Sequence, residues 1–295
     1  MARVTRFSLL LFCLGFTILA FHDIASFVDS SKRGLLLFSN SVLPVLFPFF
    51  FITSLAVHSG VRKPWQIFTF SLLGGFPTSA RMIAELYERN QITKIKAHHL
   101  STYTSFPSPI FIIATVGISL FSSLKLGIIV FASIILAALL NGFIFRRILQ
   151  EPGNQQRLTS FSHNEDDGES FSQSFSNSLH SAVQSILLVG GLIVIFFIVG
   201  SQVDSLFNLP SILDILVSST LEMTAGVFKL QQFSVSGLSQ IVAVTAILCF
   251  SGICIGLQGL LFFKRFGMTL RFYLLYKLTH TAFAVAIAAL IYLAV

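Results

Sequence analysis

Charge is scarce in this sequence. Asp, Glu, Lys and Arg together make up 11% of its 295 residues, where a soluble domain carries roughly a quarter, so an ordinary water-facing surface is excluded. Acidic residues are the rarer sign, 12 against 19 Lys and Arg, for a formal net charge of +7. The basic residues stand between apolar stretches with no basic-aromatic patch beside them. That pattern is the orienting charge of membrane loops and not a nucleic-acid surface. Cysteine is scarce as well: Cys13, Cys249 and Cys254 fall inside apolar runs, and the last two are spaced for neither a CxxC nor a zinc pair. Each is expected to be a buried small hydrophobe. His98 and His99 are adjacent, so they point to different faces without an acidic ligand at useful spacing, which speaks against a metal site. GxSxG, HExxH and Walker loops are absent. An enzyme is not expected, and neither is a cofactor.

Apolar sequence is what the chain has in abundance: 54% of residues are hydrophobic and the mean hydropathy is +0.84. Runs of about 20 apolar residues recur, which makes the class an all-α, polytopic integral membrane protein in the lipid bilayer. Arg3 and Arg6 precede an apolar run from Phe7 to Phe21, and Ala20-Phe21-His22 is a poor cleavage site. Residues 1–33 therefore read as an uncleaved first span with a cytoplasmic N-terminus, closed by an outer loop of Asp29, Lys32 and Arg33. Gly34 to Ser59 forms a second span kinked by Pro44 and Pro48. His58, Arg62 and Lys63 then mark the inside. Trp65 to Leu73 is too short to cross and return as an ordinary helix; it ends at Gly74-Gly75, and Pro77 suits the first turn of a new helix. A re-entrant hairpin is expected there. The run Arg81 to Lys96 reads as cytoplasmic again, with Glu85 spaced to pair with Arg81 and Arg89, a helix stop at Asn90 and a restart at Thr93. Leu100 to Phe121 crosses outward, Lys125 sits outside, and Leu126 to Phe145 returns to Arg146-Arg147.

Residues 149–174 are rich in Ser and acidic residues and read as a flexible cytoplasmic linker. After it the pattern recurs. Phe175-Ser176-Asn177-Ser178 echoes Phe38-Ser39-Asn40-Ser41, and Ala182–Gly200, Leu209–Val227, Leu238–Leu260 and Phe272–Val295 give a span, a broken hairpin and two spans. Residues 34–148 and 175–295 thus read as two repeats. Three crossings in the first copy put the second upside down, and Lys264, Arg265 and Arg271 fall on the expected inside. About seven transmembrane helices plus two re-entrant hairpins in inverted-topology repeats is a transporter signature, with the site near mid-membrane.

The candidate site follows from the breaks. Gly75, Pro77, Thr78 and Ser79 put a helix N-terminus and hydroxyls at the first hairpin tip, which favours a carboxylate or phosphate. Ser105 and Ser108, among Pro107 and Pro109, offer carbonyls and hydroxyls at matching depth. Glu222 and Thr224 lie in the second hairpin, and an ionisable residue inside a membrane segment is a functional hypothesis by default. Glu222 is expected to bind a solute donor group or carry a coupling proton. Ser251 and Gln258 face the same cavity under the repeat arrangement. Lys277, on one helix face with Tyr273, Tyr276 and His280, is expected to snorkel from the start of the last span.

These stretches resemble the sporulation integral membrane protein YlbJ (SpoVV) family, in the wider nucleoside-recognition Gate domain group. The resemblance is carried by Val42-Leu43-Pro44-Val45-Leu46-Phe47-Pro48-Phe49-Phe50, Gly75-Phe76-Pro77-Thr78-Ser79-Ala80-Arg81, Ser108-Pro109-Ile110-Phe111 and Leu221-Glu222-Met223-Thr224-Ala225-Gly226. It implies a multi-pass protein of endospore-forming Firmicutes or their relatives, in the cell membrane or the outer forespore membrane. It further implies movement of dipicolinic acid, a planar pyridine dicarboxylate. This chain carries Ser105-Phe106-Pro107-Ser108-Pro109 where members usually have an Asn/Ser-rich segment. The leading reading is a transporter or facilitator for a small organic anion, with a coupling ion (H+ or Na+) and a homo-oligomer as open partners. A nucleoside carrier is the alternative of the same class, and a non-transporting membrane assembly partner that of another class.

Overall fold

The computed structural model describes residues 2–149, 170–207, 210–233 and 235–294, and the described residues are mostly helical with no strands. The chain is an all-α integral membrane protein. Helix α1 (Ala2–His22) ends where Asp23 caps α2 (Ile24–Leu37) by accepting from the Ser26 amide at 3.0 Å. A single π-turn (Phe38–Val42) leads into α3 (Leu43–His58). Two short helices, α4 (Pro64–Gly74) and α5 (Phe76–Glu88), meet at Gly75. Then come α6 (Lys94–Thr104), a π-wound helix (Ile110–Leu120) and α7 (Leu124–Ile148). Past the polar linker, most of which lies outside the described residues, α8 (Phe171–Phe207) is followed by α9 (Ser211–Leu221) and α10 (Met223–Gln232), which meet at Glu222. The chain ends with α11 (Gly237–Phe250), α12 (Gly252–Phe263), a short 3-10 turn and α13 (Leu270–Ala294).

Among the described residues, four helical stretches are long and apolar enough to cross a membrane: Leu124–Ile148, Phe171–Phe207, Gly237–Phe266 and Leu270–Ala294. The bent pair Cys13–His22 and Ile24–Asn40 makes a fifth if it counts as one span. Two of the expected seven spans are instead in pieces. The run expected from Gly34 to Ser59 divides at the π-turn before Pro44, and the run from Leu100 to Phe121 divides at residues 105–109, where Pro107 and Pro109 cannot donate to a helical ladder. The third long stretch is also interrupted, at Ser251. Asp29, Lys32 and Arg33 do not form a loop: they lie within α2, where Arg33 pairs with Asp29 one turn away at 2.7 Å. Residues 171–174, assigned to the linker by composition, already belong to α8.

Packing explains why the short helices hold. The middle of the molecule is α5 against α12, with Phe76 seated over Gly259 and in edge contact with Phe263. Around this pair, α3 and α2 pack on α8, and α7 packs on both α13 and the π-wound helix. The last contact is close because it is glycine on glycine: a Cβ on Gly117 would stand 2.7 Å from the Cα of Gly127. Cys249 and Cys254 are buried as expected, whereas Cys13 is exposed on the outward face of α1.

Basic loops meet at one end of the bundle. Arg265 donates to Glu88 at 2.8 Å, and the Lys94 ammonium lies against Gly267. Lys96 is held below the ordinary lysine value by partial burial and then by the nearby Arg62. Asn90 takes a positive φ of 56° after α5, and the Thr93 hydroxyl caps α6 at the Lys96 amide (3.2 Å), as the spacing indicated.

Candidate functional site

Each hairpin tip abuts a helix break. Gly75 adopts φ 74° and ψ −169°, a region that only glycine enters without strain. A Cβ there would also stand 3.0 Å from the Ser108 amide nitrogen. Pro77 in the first turn of α5 then supplies a pre-set φ and no orphan donor. In the second hairpin, Glu222 is extended and caps α10: its Oε2 accepts from the Ala225 amide at 2.8 Å. Its tip rests on the other break, where Ser251 is left-handed at φ 71° and Gly252 follows at φ 69°. A Cβ on Gly252 would stand 3.1 Å from the Ser219 carbonyl and 3.3 Å from that of Leu221.

Between the tips and breaks lies a cavity of about 330 Å³. Gly75, Pro77, Ser108, Glu222, Thr224, Ser251 and Gln258 all line it, so seven sequence-named positions from five segments converge. The rest of the wall is apolar, including Leu46, Phe76, Phe111, Val189, Ile193 and Met223. Thr78, Ser79 and Ser105 are not part of it. They are fully buried, and their hydroxyls bond to backbone carbonyls: Thr78 to Gly74 (3.0 Å), Ser79 to Thr104 (2.8 Å) and Ser105 to Ser101 (2.6 Å). Hydroxyls near a helix break serve that break before they serve a ligand.

No lysine, arginine or histidine is among the cavity-lining residues. Its positive character comes from backbone. The N-termini of α5 and α12 begin at Gly75 and Ser251, neither of which caps its helix with a side chain, while the π-wound helix begins after Pro109 with the Ser108 hydroxyl accepting from its Phe111 amide at 3.4 Å. Each such end carries roughly half a positive charge. The fourth N-terminus, that of α10, is covered by Glu222. This carboxylate is 7% exposed and not on a surface loop. It also lines a second cavity of about 180 Å³, with Arg33, Asp204, Ser218 and Lys229, so the two cavities share it as a wall. Lys229 closes the far side by bridging Asp204 at 2.7 Å and Asp214 at 2.5 Å.

The sequence is similar to a known protein. The sporulation integral membrane protein YlbJ of Bacillus subtilis (strain 168) is 27% identical over 287 residues, an alignment covering 80% of this chain and 70% of that protein. No family model matches this chain, and no solved structure does.

Two buried cations were misplaced by sequence reasoning. Lys277 does not snorkel. It is fully buried, and its Nζ donates to the carbonyls of Ser105 and Cys249 at 3.0 Å each and to the Ser251 hydroxyl at 3.2 Å. It also sits 4.9 Å from the centre of the Phe76 ring. The signal was present in the spacing of Tyr273, Tyr276, Lys277 and His280, all of which are buried: polar residues at helical intervals in an apolar span face the interior. Arg81 does not open a cytoplasmic surface either. It is 2% exposed and donates to the Phe50 carbonyl (2.5 Å) and the hydroxyls of Ser181 (2.7 Å) and Ser185 (2.9 Å), with Glu85 at 3.4 Å. The spacing did find the pairs: Arg81 and Arg89 both face Glu85, and Ser54 donates to it at 2.8 Å.

Proposed function

We propose that the protein moves a small organic anion across the membrane through the cavity between the two hairpin tips. The observation that carries this reading is the convergence of three helix N-termini, two of them without a side-chain cap and the third covered by the neutral Ser108 hydroxyl, on one largely apolar chamber of about 330 Å³. Fixed backbone dipoles favour carboxylates and apolar walls favour a flat ring. Dipicolinate, the solute that the family resemblance implies, has both features. A basic nucleoside-type ligand would instead use Glu222 as its acceptor.

The inverted-repeat arrangement of residues 34–148 and 175–295 belongs to the same proposal. It is supported by the order of elements. A hairpin of 11 and 13 residues, a broken pair and a 25-residue helix in the first half meet a hairpin of 11 and 10, a broken pair and a 25-residue helix in the second. The basic end formed by Arg62, Lys94, Lys96 and Arg265 supports placing that face in the cytoplasm. The relative's name brings sporulation into the proposal, and the family resemblance adds the outer forespore membrane.

The test is uptake of labelled dipicolinate and of a labelled nucleoside into proteoliposomes. Dipicolinate is expected to enter well above empty liposomes and the nucleoside is not. Glu222→Gln keeps the shape and one acceptor but weakens the charged hydrogen bond to the Ala225 amide that fixes the second tip, and should reduce uptake on the order of tenfold, the worth of one charged hydrogen bond. Nucleoside uptake alone would replace the solute class. If neither solute moves, the chain is an assembly partner and not a carrier.

A further inference from the structure

Lys277 holds the two helix breaks together with no carboxylate: among the described residues no Asp or Glu pairs with it. Its surroundings fix its form. The Ser251 hydroxyl gives its own proton to the Leu248 carbonyl at 2.9 Å, so toward Lys277 it can only accept. The Ser105 and Cys249 carbonyls accept as well. Three acceptors need three N–H donors, which an ammonium has and a neutral amine lacks. The charge that balances this ammonium is backbone. Ser105 and Cys249 close the C-terminal ends of α6 and α11, each the negative end of a helix dipole.

Broken-helix carriers use such C-terminal ends and unwound carbonyls to hold a coupling cation. We infer that in this chain the Lys277 ammonium fills that place permanently, as a tethered cation, so that no sodium ion is taken up at the junction of the two breaks. One consequence is geometrical. The negative ends at both breaks are neutralised from the α13 side, while the positive ends face the cavity, the one at Ser251 without a side-chain cap and the one after Pro109 under the neutral Ser108 hydroxyl. Lys277 is thus a positioning residue that sets the polarity of the chamber without entering it. The sodium independence of solute movement rests on the transport reading above; the occupancy of the junction does not.

The experiment measures melting of the detergent-purified full chain in sodium, choline, ethylammonium and tetramethylammonium chloride at equal ionic strength. The parent should melt at the same temperature in sodium and choline. Lys277→Ala should melt lower, on the order of 10 °C, because uncompensated buried dipole ends are left behind. Ethylammonium should restore part of that drop and tetramethylammonium, too bulky for three short hydrogen bonds, none. Lys277→Met, which keeps the stem and loses the charge, should melt with the alanine variant. A methionine variant as stable as the parent, equal effects of the two organic cations, or a parent stabilised by sodium over choline would each overturn the inference. If Lys277→Ala does not fold, the methionine variant and the parent's salt comparison still decide. Uptake into proteoliposomes should be equal with and without a sodium gradient. Absence of any uptake would count against the transport reading and leave the melting result standing.

Discussion

Arg81→Met is expected to lower the melting temperature of the solubilised protein by roughly 10 °C, an effect of about 3–5 kcal/mol. The side chain lies between α3, α5 and α8, and its donors reach one backbone carbonyl and two serine hydroxyls from the other two helices. Removing it also strands Glu85, whose Oε2 has no hydrogen-bond partner among the described residues and relies on Arg81 at 3.4 Å and the neighbouring charges. The comparison that identifies the cause is Arg81→Met with Glu85→Gln. Relieving the unpaired carboxylate should return a large part of the loss, as charge pairs in one network are not additive. Equal melting of the single and double variants would mean that the cost is lost packing against Phe50, over whose ring the guanidinium sits.

Gly75→Ala carries the largest expected effect on function. The strain of placing an alanine at φ 74° and ψ −169° costs about 1–3 kcal/mol, and the added Cβ would push on the Ser108 amide from 3.0 Å. Hairpin tip and helix break would move apart at the cavity wall, and uptake should fall by at least about tenfold for each 1.4 kcal/mol felt at the site. Gly60→Ala is the matched comparison. Gly60 also has a positive φ, 84°, but a Cβ there would meet nothing within 4 Å. Both variants should lose stability, and only Gly75→Ala should lose uptake beyond its loss of folded protein. Equal uptake by the two, per folded molecule, would remove the first tip from the site.

What the sequence revealed was the set of places where helix cannot continue. Glycine and proline act on backbone locally, so the turn at Gly75 and the break before Pro107 and Pro109 were legible, as was the capping stop between Asn90 and Thr93. The apolar runs likewise gave the membrane class. What stayed hidden was direction. Thr78, Ser79 and Ser105 sit one helical turn or less from cavity residues, and whether a hydroxyl turns to the cavity or back to its own carbonyl depends on the neighbouring helix. The same holds for charge. Lys277 and Arg81 stand near sequence boundaries that suggest an aqueous end, yet tertiary contacts bring acceptors to them: the ends of α6 and α11 in one case and α8 serines in the other. The break at Ser251 has no proline to announce it, only a left-handed serine before a left-handed glycine.

A thiol between the two tips, once modified, should block the passage of solute. In a chain with Cys13, Cys249 and Cys254 replaced, Thr224→Cys puts one partly accessible sulfur on the cavity wall. Dipicolinate uptake is measured before and after treatment with a small methanethiosulfonate reagent. Uptake should be lost on modification of Thr224→Cys and untouched in the cysteine-free parent. Uptake that continues at full rate with the cavity thiol fully modified would contradict passage between the tips.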